Sequence, residues 1–171
     1  MAILPIRIYP DPVLRVRCKP VEEFNETLTK LIADMVSTMH AAPGIGLAAP
    51  QVGVESRVAV IDLSVGERPE DLLTLVNPSL LEETGSDDDV EGCLSLPNIT
   101  DKVRRPFSVK LQARDATGEV IELELEGLLA RTVCHEIDHL DGILFTDRLR
   151  GLRKEKARRA LRRLERAQDG A

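Results

Sequence analysis

Apolar residues fall at helical spacing from Asn25 to Ala41, where Leu28, Leu31, Ile32, Met35, Val36 and Met39 make one face. A proline-punctuated start (Pro5, Pro10, Pro12, Pro20) precedes this helix and reads as extended chain. Period-two alternation then predicts strands over Phe107 to Ala113 and Glu119 to Leu125, with Asp115-Ala116-Thr117-Gly118 as the hairpin turn between them. Arg57 to Leu63 and Leu72 to Leu81 are also strand-like, the second interrupted by Asn77-Pro78. Ser86 to Asp89 reads as a solvated acidic loop, lacking the spacing and glycine of a calcium loop. Helical periodicity returns from Gly127 to Leu140. It appears again over about residues 148–167, where Leu149, Leu152, Ala160, Leu161 and Leu164 supply an apolar stripe. No internal repeat and no linker composition interrupts the chain. The expectation is a single domain over residues 1–171, of α+β class, ending in a basic amphipathic helix.

Charge sharpens the picture of that last helix. Arg150 to Arg166 holds nine Lys/Arg against Glu155 and Glu165, a net of +7, so the remainder carries −13 to reach the chain's −6. Such a helix packs one face on the core and offers the other to solvent or to an anionic partner. Acidity elsewhere argues against general coating of nucleic acid, and three Phe and one Tyr are too few for a base-stacking platform. No run is long enough to span a bilayer and no signal-peptide pattern opens the chain, so no membrane partner is expected. Three cysteines in such a chain point to reduced thiols and a cytoplasmic setting.

The chemistry concentrates at His135-Glu136-Ile137-Asp138-His139, an H-E-x-x-H pattern on the Gly127 to Leu140 helix. Four residues are slightly more than one turn, so His135 and His139 share a face and can grip one metal ion. Glu136 lies about 100° around the axis, within reach of a water at that ion without being a ligand. A hydrolytic metal site usually has three protein ligands. The longer zinc-protease pattern would place a third His where Phe145 stands, although Gly142 fits its glycine position. His40, Cys18, Cys93 and Cys134 remain as candidates besides carboxylates. Cys134 is rotated off the ligand face and reads as a small packed residue. His40 reads as a polar residue closing its helix. Cys93 differs, lying in the glycine-bearing, apolar segment Val90 to Pro97. Gly44-x-Gly46-x-x-Ala49 superficially matches a dinucleotide fingerprint. A helix precedes it and a strand follows, the reverse of what that fold needs, so no nucleotide cofactor is expected. Gly44 and Gly46 instead suit close approach of the backbone to a bound peptide, paired as an added strand.

Three motifs, in this order, resemble those of bacterial peptide deformylases: Gly44-Ile45-Gly46-Leu47-Ala48-Ala49-Pro50-Gln51-Val52-Gly53, Glu91-Gly92-Cys93-Leu94-Ser95, and His135-Glu136-Ile137-Asp138-His139-Leu140-Asp141-Gly142. The resemblance runs from about Ile3 to Leu149, and departs at Cys134, where the family usually has Gln. It implies antiparallel sheets around a central metal-binding helix, with an additional C-terminal helix. It implies Cys93, His135 and His139 as metal ligands, with a metal-bound water as nucleophile and Glu136 as general acid/base. The Gln51 side chain and the Leu94 N–H would hold the oxyanion. The implied reaction removes the formyl group from N-formylmethionyl peptides and releases formate. The usual ion is Fe²⁺, with Zn²⁺, Ni²⁺ or Co²⁺ as substitutes, although an S/N₂ donor set alone would favour zinc. Gly44, Ile45, Gly46, Leu128 and Thr132 would line the substrate pocket, with Arg105 at its edge. The basic helix would attach to the ribosome.

Overall fold

The computed structural model describes residues 1–170. Its elements, in chain order, are α1 (Glu26–Ala41), β1 (Gly46–Ala48), β2 (Val58–Ile61), β3 (Leu73–Thr84), β4 (Asp87–Cys93), β5 (Leu96–Arg105), β6 (Ser108–Arg114), β7 (Val120–Glu126), α2 (Gly127–Leu140) and α3 (Gly151–Asp169). The fold is α+β, with a five-stranded antiparallel sheet in the order β1-β2-β3-β6-β7 and a separate β4-β5 ribbon. No helix among the described residues is long and apolar enough to cross a membrane.

Local chemistry accounts for most boundaries. The Asn25 side chain accepts the Leu28 N–H and caps α1, whose Leu28, Ile32, Met35 and Met39 pack on Leu47, Val58 and Val60 of the sheet. β3 runs through Asn77-Pro78 and past Leu81 to Thr84, longer than its apolar stretch suggests. The interruption survives as a register shift between Val76 and Ser79, with Asn77 at φ 52°. The Asn77 side chain accepts the Val21 N–H and donates to the Val21 carbonyl, so the break leaves no unmet polar demand.

The expected acidic loop at Ser86 to Asp89 is corrected by the structure. Asp87, Asp88 and Asp89 are strand residues of β4, paired with Arg105, Arg104 and Val103 of β5. Arg104 meets Asp88 at 3.2 Å across the ribbon, so opposed charge supports pairing where acidic residues alone disfavour it.

α2 is the centre of the molecule. Ala130, Val133, Cys134 and Ile137 seat it on Ile61, Leu75, Leu111 and Ala113 of the large sheet. Every residue from Ala130 to Leu140 is buried. Six of these are polar or charged, and such groups stay buried only when they are paired or have a chemical task. Leu14, Leu96, Val103, Phe145 and Leu149 fill a second core, which Ala157 of α3 joins. Leu161 and Leu164 pack against it, whereas Leu152, expected in the same stripe, is 86% exposed. It lies about 120° around the axis from Leu164 and so misses the core.

Two glycines at positive φ offer a matched test. A Cβ on Gly142 (φ 75°) would lie 2.5 Å from the Arg15 carbonyl oxygen, whereas one on Gly151 (φ 60°) meets nothing within 4 Å. Gly142→Ala should lose about 2–4 kcal/mol by urea unfolding, from left-handed strain plus overpacking, and Gly151→Ala only about 1 kcal/mol.

Candidate active site

A cavity of about 550 Å³ opens between β1, the β4-β5 ribbon and α2. Its walls include Gly44, Ile45 and Gly46 on one side, Cys93 and Leu94 on another, and Leu128, Thr132, His135 and Glu136 from the helix. One donor atom each from Cys93, His135 and His139 lies within 4.8 Å of the others. The Cys93 sulfur is 3.3 Å from His139 Nε2. The one-turn spacing brings the imidazoles together with ring centroids 5.0 Å apart. Phe145, at the position where a zinc protease would carry its third His, stacks on His135 at 6.1 Å.

The residues present fit a divalent ion. A thiol and two imidazoles are the three-ligand set of an open hydrolytic site. His135 Nδ1 contacts Glu91 Oε1 at 2.9 Å. A carboxylate there accepts a hydrogen bond from Nδ1–H and so directs the other ring nitrogen, Nε2, towards an ion. Burial penalises the charged form of His135, but the hydrogen bonds it donates to Cys93 and Glu91 outweigh it and raise its pKa to about 10. The proton would be displaced from Nε2 on metal binding. Burial, together with the positive charges of His135 and Arg105, lowers the His139 pKa well below the usual range, so that ring is neutral and ready to ligate.

Glu136 is buried beside these groups, its Oε1 4.0 Å from His135 Nε2. Its Oε2 has no protein hydrogen-bond partner among the described residues. Burial is the main cause that raises its pKa to about 7, with the charge of His135 acting in opposition. A carboxylate poised there can both take and give a proton near neutrality.

Gln51 is fixed by its neighbours. Its Oε1 accepts the Ala48 N–H at 3.0 Å, which turns Nε2 to the Ser95 hydroxyl at 3.1 Å and to the Cys93 sulfur at 3.6 Å. The amide therefore presents an N–H at the ligand cluster. Leu94 occupies the turn between β4 and β5.

The glycines have a role the sequence did not disclose. A Cβ on Gly46 would lie 2.8 Å from Glu136 Oε1, and one on Gly44 would lie 2.9 Å from Leu94 Cδ1. Their bareness makes room for the site's own side chains. β1 is also an edge strand, pairing only with β2 in its sheet, and it borders the cavity. Leu128 is 52% exposed on the rim and is not core. Cys134 is buried, and burial pushes its thiol up to about 11. His40 bonds Asp62 at 2.8 Å, outside the ligand cluster.

Arg105 is corrected. It does not line the cavity but lies buried behind it. Its guanidinium grips both Glu91 oxygens at 2.8 and 2.9 Å and Asp138 at 2.6 Å. Glu91 also accepts from Arg131 at 2.8 Å, and Asp138 from Arg148 at 2.7 Å. Desolvation opposes the Glu91 charge, but the Arg105 and His135 hydrogen bonds prevail and lower its pKa to about 2. Glu91, Arg131, Asp138 and Ser95 were not singled out from sequence. For Arg131 and Asp138, charge inside a helix that must be buried was the available signal.

Residues 3–155 match a family model described as polypeptide deformylase. The chain is 47% identical over 167 residues to a peptide deformylase of Acidobacterium capsulatum, covering 98% of each. It is 53% identical over 149 residues to one from Caldicellulosiruptor bescii, covering 87% of each. Among solved structures, a peptide deformylase from Legionella pneumophila superposes with a TM-score of 0.89 at 44% identity, covering 98% of both chains. A plant peptide deformylase gives 0.94 at 39% identity, covering 98% of this chain and 91% of the other.

Arg105→Met would leave Glu91 and Asp138 short of a buried partner. It should cost about 3–5 kcal/mol in urea unfolding, whereas Arg104→Met on the exposed face of the ribbon should leave the unfolding midpoint nearly unchanged. Equal losses would contradict the buried network.

Proposed function

Because the chain belongs to the polypeptide deformylase family, we propose that its cleft removes the formyl group of N-formylmethionyl peptides, with Glu136 as general acid/base. The observation that carries this reading is the convergence of Cys93, His135 and His139 beside a buried carboxylate, in a cavity edged by an open strand. Cys93 Sγ and the two imidazoles would hold one divalent ion, proposed as Fe²⁺, with Zn²⁺, Ni²⁺ or Co²⁺ as substitutes. When bound, such an ion lowers the pKa of water and polarises the formyl carbonyl.

The remaining chemistry belongs to the chain. The peptide backbone pairs with the free edge of β1 and with the Gly44–Ile45 segment leading into it, which fixes the formyl group over the ligand cluster. The methionine side chain enters between Ile45, Leu128 and Thr132. Glu136 takes the proton of the attacking water and returns it to the departing amine nitrogen. Gln51 Nε2 and the Leu94 N–H donate to the oxyanion developing on the formyl group. Losing one such donor costs about 10²–10³ in rate.

The C-terminal helix has its own partner in this reading. Arg158, Arg159, Arg162 and Arg166 are exposed and lie on the face of α3 turned from the core. They are proposed to bind ribosomal RNA in the cytoplasm. Replacing these four by Gln should reduce co-sedimentation with ribosomes, most visibly at low salt. Unchanged co-sedimentation removes this partner.

Formate release from a formyl-Met-Ala-Ser peptide tests the reaction itself. Anaerobic, iron-loaded wild type should be active, and Glu136→Ala with equal metal content should fall by about 10²–10⁴. No release by fully metallated wild type would overturn the reading.

A further inference from the structure

A second cavity, of about 240 Å³, lies where β5 meets α3. It shares Asn98, Ile99 and Thr100 with the large cavity, so the two adjoin along one stretch of β5. Lys156 and Arg163 stand over it from α3, seven residues apart and therefore on nearly the same helical bearing. Ala157 and Ala160 lie between them and keep that face shallow. The one carboxylate in the lining, Asp101, is partly neutralised at its Oδ1, which Arg153 approaches at 3.7 Å and to which the Lys102 N–H donates at 2.7 Å.

We infer that this second cavity is a distal substrate subsite, in which Lys156 and Arg163 receive acidic side chains of the peptide downstream of the residues held in the cleft. The inference rests on the deformylation reading and adds a substrate preference to it. Continuity supplies the path, since a chain leaving the cleft along Asn98–Thr100 arrives between the two cations. Charge supplies the selectivity. The protein outside α3 is strongly acidic and repels an acidic peptide, so a preference for one must come from a local cationic seat. Lys156 and Arg163 sit on the flank of α3 and are separate from the outward arginines assigned to an RNA partner.

The test compares two substrates, formyl-Met-Ala-Ser-Gly-Asp-Glu-Asp and formyl-Met-Ala-Ser-Gly-Asn-Gln-Asn, on iron-loaded full-length protein at low ionic strength. The readout is the ratio of their kcat/KM values within each variant, so general changes in activity cancel. Wild type should favour the acidic tail by roughly threefold to tenfold, the size of two exposed charge pairs, with the difference in KM. Lys156→Glu with Arg163→Glu should bring the ratio to one or below. Arg158→Glu with Arg162→Glu, an equal charge change on the outward face, should keep the wild-type ratio. A neutral wild-type ratio, or equal loss in both double variants, overturns the subsite while leaving deformylation intact. No formate from either peptide overturns both.

Discussion

The Glu91 carboxylate is the contact on which the rest of this structure depends. It comes from β4, yet it binds Arg105 of β5 and both Arg131 and His135 of α2. One buried anion thus ties the two-stranded ribbon to the central helix and holds the His135 ring in place. Low dielectric makes such a network costly when any member is missing and rigid when all are present. Arg131 extends it by donating to the backbone carbonyls of Asp87 and Val103, one on each strand of the ribbon. The ribbon carries Cys93 and the helix carries His135 and His139, so the spacing of their donor atoms follows from the same ionic joint.

The opposite wall is set by absence of bulk. Thr132 and Glu136 stand one turn apart on α2, facing β1, and there is no space for a side chain at Gly46. That close approach puts an unpaired strand edge next to a carboxylate with a pKa near neutrality. Burial raises Glu136 and ion pairing lowers Glu91, which sets a carboxyl group that titrates near neutrality apart from a structural anion of the same chemistry.

Much of this was legible in the chain. The H-E-x-x-H spacing dictates a shared helix face, and α2 begins and ends at the residues its periodicity marks. The turn at Asp115 to Gly118 likewise joins the strands that alternation predicts. The β4-β5 ribbon was harder to see, because three aspartates and Pro97 suppress strand signals and the compensating arginines lie more than ten residues away. Arg105 was misplaced for the same reason. A charged residue near a binding motif reads as substrate-facing until two long-range carboxylates are found to enclose it. Leu152 fits the stripe's composition but not its bearing.

Cys93, His135 and His139 are proposed to hold one divalent ion. Cobalt substitution tests it most directly, because a thiolate bound to Co²⁺ gives a charge-transfer absorption absent from nitrogen and oxygen sites. Titrating the metal-free chain with Co²⁺ should produce this band, saturating at one ion per chain, and Cys93→Ser should abolish it. Persistence of the band in Cys93→Ser would assign the thiolate to Cys18 or Cys134 and contradict the account.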